Sequence, residues 1–381
     1  MNAGTRAEHY FIMIKPASGL CNLACRYCFY ADVSQRRNVR SYGIMSYETA
    51  RRIIENVFSD AEDGSVVHFG FQGGEPTLAG LDFFREFTAC AEEAKRRAGK
   101  TITLQYALQT NGILLDDGWC RFLYENRFLV GLSLDGDSEI HNANRVDAGG
   151  KGSFSRVMEA KRRLEEYRVA YNVLAVLTNQ LARYPVRMWQ FLLAQDIRYV
   201  QFIPCLSELD GGEPSPYALT PARFSSFYTA LFPLWAQEMR KGRYISVKFF
   251  DDIFQLLLHR RVTACGFTGS CQRQIVVEAD GSVYPCDFYA TDDWCLGNLA
   301  QKPLLSLTES ERAREFLLRE KPRPTLCRNC RWAKICGGGC ARMADNMYVS
   351  RDGKQCGYGD FLTHNAEEIN RMAAELQRAR F

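Results

Sequence analysis

The sequence predicts an α/β fold in which β-α-type units build a parallel sheet with covering helices. Three observations predict it. Between residues 10 and 203, short β-rich runs alternate with amphipathic helical stretches across short connections. The strand runs are continuous and apolar, as expected of strands buried on both faces. Polar, glycine-rich motifs follow strand after strand, where parallel sheets and barrels place their ligands.

Tyr10 to Lys15 reads as the first strand, followed by a loop holding Cys21, Cys25 and Cys28. Ser46 has the character of an N-cap for a helix through Phe58. Val66 to Phe71 forms the second strand and ends at Gly73-Gly74. Then come a helix over 81–97 and a strand over 102–108 that ends in Thr110-Asn111-Gly112. Helix 115–126, strand 128–134, helix 153–167, strand 170–177, helix 185–195 and strand 198–203 complete six units. The cysteine loop should therefore share one rim with Gln72 to Pro76, Gln109 to Gly112 and Ser133 to Gly136. Residues 207–217, rich in Ser, Glu, Asp, Gly and Pro, read as a linker. A helix over 221–241 bridges to a second cysteine-rich region, so the expected divisions are 1–206, 207–245 and 246–381. Within the last division, Val277 to Tyr289 reads as a hairpin around Asp280-Gly281. Glu367 to Arg380 reads as a solvated amphipathic helix.

Composition narrows the class. The chain has 381 residues, 48 basic and 44 acidic, a net charge of +4 that is too balanced for a protein built around a nucleic-acid backbone. Arg36-Arg37 with Arg40, Lys95-Arg96-Arg97 and Lys161-Arg162-Arg163 read as solvated faces without the stacking aromatics of a nucleic-acid site. No run approaches the about 18 apolar residues of a membrane span. The N-terminus carries no signal core, so a cytoplasmic location is expected. Cysteine is the outlier at 15, an odd number that cannot pair completely. In a cytosolic chain of this length, clustered cysteines are metal ligands or redox groups rather than staples.

Cys21-x3-Cys25-x2-Cys28 offers three thiolates in one loop. Three can bind three irons of a cubane and leave the fourth open to a chelating small molecule. A closed zinc site would need a fourth Cys or His nearby, and the loop has none. A second set, Cys327-x2-Cys330-x5-Cys336-x3-Cys340 with Cys356, follows Cys265, Cys271 and Cys286. Eight thiolates can fully ligate two more clusters. A zinc ribbon would use four of them and leave the rest idle.

The first motif, placed after the first strand of a β/α series, resembles the radical S-adenosylmethionine (SAM) superfamily. The second resembles its SPASM extension. The resemblance implies a partial (β/α)6 TIM-type barrel with a C-terminal SPASM domain carrying two auxiliary clusters. It implies S-adenosyl-L-methionine and three [4Fe-4S] clusters as cofactors. Cys21, Cys25 and Cys28 would hold the SAM-cleaving cluster, which produces a 5′-deoxyadenosyl radical. Cys265, Cys271, Cys286 and Cys340 would hold auxiliary cluster I, and Cys327, Cys330, Cys336 and Cys356 auxiliary cluster II. Closed auxiliary clusters suit electron transfer or stapling and argue against sulfur insertion. Gly73, Gly74 and Glu75 match the motif for the SAM amino group, held by a carboxylate or a strand-end carbonyl. Tyr27, Gln72, Asn111, Ser133, Asp135, Arg145 and Leu206 would complete the SAM cavity. Cys90, Cys120, Cys205 and Cys295 are left without a task; Cys90 and Cys120 fall in helices as small buried hydrophobes.

Asp287 directly follows the ligand candidate Cys286. A buried carboxylate beside an anionic thiolate cluster would gain proton affinity and suit general-base work. The hairpin as a whole, with Cys28-Phe29-Tyr30, Phe71 to Pro76, Ser133 to Gly136 and His141, resembles the anaerobic sulfatase-maturating enzymes. That family oxidises a Cys or Ser in a C/S-x-P-x-R motif to Cα-formylglycine. The resemblance implies Asp287 as base and Tyr30 and Gln72 at the substrate. It also implies as partners an unfolded or nascent sulfatase polypeptide and an electron donor such as flavodoxin or ferredoxin, with the chain a monomer. The same architecture also serves enzymes that build thioether or carbon crosslinks in other ribosomal peptides. Asp287 in its Val-Tyr-Pro-Cys setting favours the maturase, whereas zinc without iron or sulfide would mean a binding module.

Overall fold

The structure, a computed structural model, describes residues 9–209, 215–321 and 324–378. Seven strands lie side by side in chain order and parallel: β1 (His9–Ile14), β2 (Val66–Phe71), β3 (Thr103–Thr110), β4 (Leu129–Ser133), β5 (Tyr171–Leu177), β6 (Tyr199–Pro204) and the short β7 (Ser246–Val247). β7 pairs with β6 at Tyr199↔Ser246, so the barrel sheet extends past the linker. The linker's residues 210–214 lie outside the described residues.

Helices cover the outer face, as the six units require. After α1 (Phe29–Gln35), which directly follows the cysteine loop, α2 (Tyr47–Asp60) starts at Ser46, whose side chain accepts from the Thr49 N–H. Ala50, Ile53, Ile54, Val57 and Phe58 form its buried stripe, spaced to face the sheet. α3 (Leu81–Ala98) stops at Gly99, whose φ of 63° is left-handed. α4 (Asp117–Glu125), α5 (Ser138–Asn142), α6 (Phe154–Glu166) and α7 (Pro185–Ala194) continue the pattern. Phe69, Phe71, Phe84, Phe87 and Phe128 are buried between sheet and helices, with rings 4.8 to 6.1 Å apart where Phe71 meets Phe84, Phe87 and Phe128.

α8 (Pro221–Arg240) and α9 (Lys248–His259) lead into the second module. Phe224, Tyr228, Phe232 and Trp235 on α8 pack with Phe249 and Phe250 of α9 and with Phe361. Phe361 belongs to the C-terminal helix Gly357–Arg378, which corrects the solvated helix expected over 367–380. It starts ten residues earlier and buries Tyr358, Phe361, Leu362, Ile369 and Met372, packing against α8. Its first residue is glycine for a reason: a Cβ on Gly357 would sit 2.3 Å from the Pro221 carbonyl oxygen.

The hairpin expected around Asp280-Gly281 forms as β8 (Ile275–Val277) and β9 (Ser282–Tyr284). β8 also adds parallel to β1, Ile12 opposite Ile275, and β10 (Gly297–Asn298) extends the edge beyond β9. The ten strands therefore form one sheet across both modules. Among the described residues, no helix is long and apolar enough to cross a membrane.

Candidate active site

The carboxyl ends of β1 to β6 carry the cysteine loop and the polar motifs, as a parallel α/β sheet dictates. The Glu75 N–H donates to the Leu20 carbonyl at 2.8 Å, tying the glycine turn to the cysteine loop. Gly74 makes this approach possible. Its φ is 51°, and a Cβ there would lie 2.2 Å from the Leu20 oxygen. From β3, the Asn111 side chain donates to Asn22 at 2.7 Å and points its amide at the Cys21 sulfur 3.9 Å away.

Glu75 is buried and both its oxygens are taken. Oε1 accepts from the Thr77 N–H and hydroxyl and from the Thr110 hydroxyl, at 3.1, 2.7 and 2.7 Å; Oε2 accepts from the Asn111 N–H at 2.7 Å. Burial pushes its carboxyl up, and these donors oppose the shift. Of the two ways the motif could meet an ammonium, the carboxylate is thus occupied by its own fold, and the strand-end carbonyls remain.

At the end of β4, Asp135 is similarly engaged. Arg145 grips it through Nε at 2.9 Å and Nη2 at 3.1 Å, Tyr27 donates its hydroxyl, and the Val176 N–H donates at 2.9 Å. Arg145 stands over the Tyr27 ring at 5.5 Å and acts on Cys25: burial raises that thiol, while the guanidinium lowers it. The Asp135–Arg145 pair is buried, with side chains 3 % and 8 % exposed. His141 is also buried and takes the Asp135 N–H on Nδ1 at 3.3 Å, with Ser153 beside Nε2 at 3.0 Å. Ser133 is buried on the same rim, and Leu206 is half-buried just beyond β6.

Cys21 and Cys28 are exposed and Cys25 is half-buried. Burial raises Cys21 to about 11, with smaller contributions from Glu75, Cys25 and Cys28. The C-terminal thiols fall into two neighbourhoods. Burial raises Cys265 and Cys286, and the charges that act on them come from Cys340 and Cys271 for the first and from Cys340 and Cys265 for the second. Burial raises Cys356 to about 11, with Cys336, Cys327 and Cys330 as its thiol neighbours. Among the described residues, no three His, Cys, Asp or Glu side chains converge on a point that would hold a single metal ion. Cysteines of a cubane each take a different iron, so they stand around the cluster rather than around one ion. Of the four remaining cysteines, Cys120 and Cys205 are buried, Cys295 is half-buried, and Cys90 is half-buried rather than fully enclosed as expected.

Asp287 opens a short turn after Cys286 and is 5 % exposed. Tyr30 donates to its Oδ2 at 2.6 Å, and Gln72 donates to the same oxygen at 3.2 Å and to the Tyr30 hydroxyl at 2.9 Å. Gln72 also lines a cavity of about 150 Å³ in the barrel lumen with Met13, Gly70, Gln109, Gly131 and Asn172. On its other side, Asp287 Oδ1 lies 2.8 Å from the Lys15 ammonium. The sequence placed only an anionic cluster beside Asp287; the structure adds the buried Lys15 ammonium. Arg37, read as part of a solvated basic run, is in fact buried and pairs with the fully buried Glu278 at 2.6 Å. Lys161, from another such run, is also buried and pairs with Glu165 at 2.7 Å. Sequence reasoning missed Lys15; the only signal was a lone charge ending an apolar strand directly before the cysteine loop.

Comparison with known proteins places this geometry. The Radical SAM superfamily profile matches residues 16–181, and an iron-sulfur cluster-binding SPASM domain profile matches residues 265–331. The chain is 40 % identical to a cysteine-type anaerobic sulfatase-maturating enzyme of Clostridium novyi over 96 % of its own length and 97 % of the relative's. It is 29 % identical to a serine-type counterpart from Bacteroides thetaiotaomicron over 97 % and 92 %. A solved structure of native anSMEcpe with bound AdoMet and Cp18Cys peptide superposes with a TM-score of 0.88 at 36 % identity, covering 97 % of this chain and 99 % of that one. Its fold, its two profiles and its near full-length relatives agree: the chain belongs to the anaerobic sulfatase-maturating enzymes, a family of radical SAM proteins with a SPASM domain.

Proposed function

We propose that this chain oxidises a cysteine side chain in a C-x-P-x-R segment of a sulfatase polypeptide to Cα-formylglycine. The observation that carries the reading is Asp287, a buried carboxylate next to Cys286 whose Oδ2 meets Tyr30 and Gln72 at the barrel lumen. The cysteine-type preference is supported by the gap between 40 % identity to the cysteine-type relative and 29 % to the serine-type one.

The donor set fits the cofactors of the family. Cys21, Cys25 and Cys28 on one rim loop would hold the SAM-cleaving cluster, and the carbonyls of Gly73 and Gly74, in the turn tied to that loop, would meet the SAM ammonium. Cys265, Cys271, Cys286 and Cys340 would hold one auxiliary [4Fe-4S] cluster, and Cys327, Cys330, Cys336 and Cys356 the other. When bound, these groups supply a 5′-deoxyadenosyl radical that takes hydrogen from the substrate Cβ, and an acceptor for the electron left behind. The chain's own side chains do the rest. Asp287 takes the thiol proton, Tyr30 and Gln72 fix the oxygen that receives it, and Arg145 and Tyr27 hold Asp135 at the cluster rim. The same reading assigns residues 1–206 to the barrel and 246–381 to the auxiliary-cluster domain, and makes the substrate an unfolded or nascent sulfatase. It further expects a monomer in the cytoplasm, reduced by a flavodoxin or ferredoxin.

The test is anaerobic incubation of the cluster-loaded chain with SAM, a reductant and a Cys-x-Pro-x-Arg peptide, followed by mass spectrometry. Aldehyde should form, and Asp287→Asn should abolish it while 5′-deoxyadenosine still accumulates. SAM cleavage without aldehyde from the unaltered chain would remove the reading in favour of peptide crosslinking.

A further inference from the structure

Lys15 is among the most enclosed charges in the molecule, at 1 % exposure, and the chemistry above gives it no task. Its ammonium meets Asp287 Oδ1 at 2.8 Å, Glu278 at 3.6 Å and the face of the Tyr30 ring at 4.6 Å. Its backbone N–H, at the end of β1, donates to the Val277 carbonyl at 2.8 Å. Main chain and side chain thus both hold the hairpin that carries Cys286 and Asp287. The stem has room only because Gly73 lacks a side chain: a Cβ there would lie 2.7 Å from Lys15 Cγ.

Two buried cations and two buried anions make up this group: Lys15 and Arg37, Glu278 and Asp287. Arg37, at 2.6 Å, is much the closer partner of Glu278, so the Lys15 ammonium is directed chiefly at Asp287. Burial pushes the Glu278 carboxyl up, but Lys15 and Arg37 outweigh it and leave the group below its usual value, a charged anion between two cations. Asp287 is then engaged at both oxygens, by an ion pair with the ammonium at Oδ1, which is not aligned as a hydrogen bond, and by hydrogen bonds from Tyr30 and Gln72 at Oδ2. A carboxylate engaged at both ends turns less freely about its Cβ–Cγ bond, which keeps Oδ2 beside Gln72 and the lumen.

We propose that Lys15 is the positioning residue for Asp287, with Arg37 and Glu278 holding the ammonium in place. This rests on the reading of Asp287 as the base that takes the substrate proton. Releasing one oxygen lets the other drift, and a misplacement of about 1 Å is enough to cost about 10²-fold in rate.

Two variants separate positioning from scaffolding. Lys15→Met keeps the volume but leaves two anions against Arg37; Lys15→Met with Glu278→Gln removes one charge of each sign and restores the balance. Each is loaded with clusters and assayed for thermal midpoint, aldehyde formed per 5′-deoxyadenosine released, and kcat and KM for the Cys-x-Pro-x-Arg peptide. Lys15→Met should lower the midpoint and lower the aldehyde ratio about 10²-fold. The double variant should regain the midpoint but not the ratio, with kcat reduced and KM unchanged. Recovery of the ratio together with the midpoint, an unchanged ratio in either variant, or failure of the balanced pair to fold would each overturn the proposal. An unaltered chain that makes no aldehyde would instead count against the function itself.

Discussion

Replacing Glu75 with glutamine tests whether this carboxylate serves the fold before it serves any ligand. The change keeps the shape and exchanges one oxygen for an NH2 group. In the better orientation the amide oxygen stays at Oε1, facing the Thr77 N–H and the Thr77 and Thr110 hydroxyls, and the NH2 faces the Asn111 N–H 2.7 Å away. That opposes donor to donor. Losing a hydrogen bond to a charged acceptor costs about 1.5–3 kcal/mol, and the buried Asn111 N–H is left without a partner. The three remaining bonds become neutral ones of roughly half the strength. Against this, a buried amide is desolvated more cheaply than a buried carboxylate, which is why burial pushes Glu75 up. The net expectation is a destabilisation of about 2–4 kcal/mol. Urea unfolding of the cluster-loaded chain, with SAM withheld, measures it. A change below about 0.5 kcal/mol, the range of an indifferent surface substitution, would refute the assignment of Glu75 to the fold.

Three further outcomes follow from the same rim. Gly74→Ala should abolish the cysteine loop's seat, since the added Cβ meets backbone at 2.2 Å with φ at 51°. Iron analysis and Mössbauer spectra should then lose the signal of the first cluster and keep the auxiliary ones; full iron content would contradict this. Arg145→Met strands Asp135 in the interior and should cost about 3–5 kcal/mol in urea unfolding, where an exposed pair would cost about 1 kcal/mol or less. Burial lowers His141 from 6.5 to about 4, with Asp135 opposing and Arg145 assisting. The unfolded chain therefore binds a proton that the native one refuses between those values, so this contribution rises with pH through that window and is complete above it. It amounts to about 3 kcal/mol, the shift converted at about 1.36 kcal/mol per pH unit. Thermal midpoints from pH 4 to 7 should climb, and His141→Gln should flatten the climb; an equal slope in the variant would reassign it.

Much of this was legible in the residues. Continuous apolar runs marked the parallel strands, and Ser46 marked the start of α2 because a hydroxyl there satisfies the Thr49 N–H. The cysteine spacings set a three-thiolate loop apart from the eight later thiolates, and the structure puts that loop directly after β1. What stayed hidden depends on partners far along the chain. Arg37 sits in a basic pair that looks solvated until Glu278, 241 residues away, is folded against it. Lys15 reads as the polar end of a strand for the same reason. Glu75 could not be told from a ligand-binding carboxylate, since only the fold brings Thr110 and Asn111 to it. The C-terminal helix began unrecognised because Gly357-Tyr358-Gly359 has the composition of a turn, and packing of Tyr358 and Phe361 overrode it.

The pairing of β1 with β8 has a kinetic side. During synthesis the first strand emerges early, yet its second neighbour, beginning at Ile275, is made only after the whole barrel. Until then β1 presents an unpaired edge, the surface on which chains join wrongly to one another. Lys15 and Arg37 wait just as long for Glu278 and Asp287. Contacts this distant in sequence close slowly, because the intervening chain must be ordered first. Pairing of β8 with β1 and the arrival of Asp287 beside Lys15 and Tyr30 therefore belong to the same folding event.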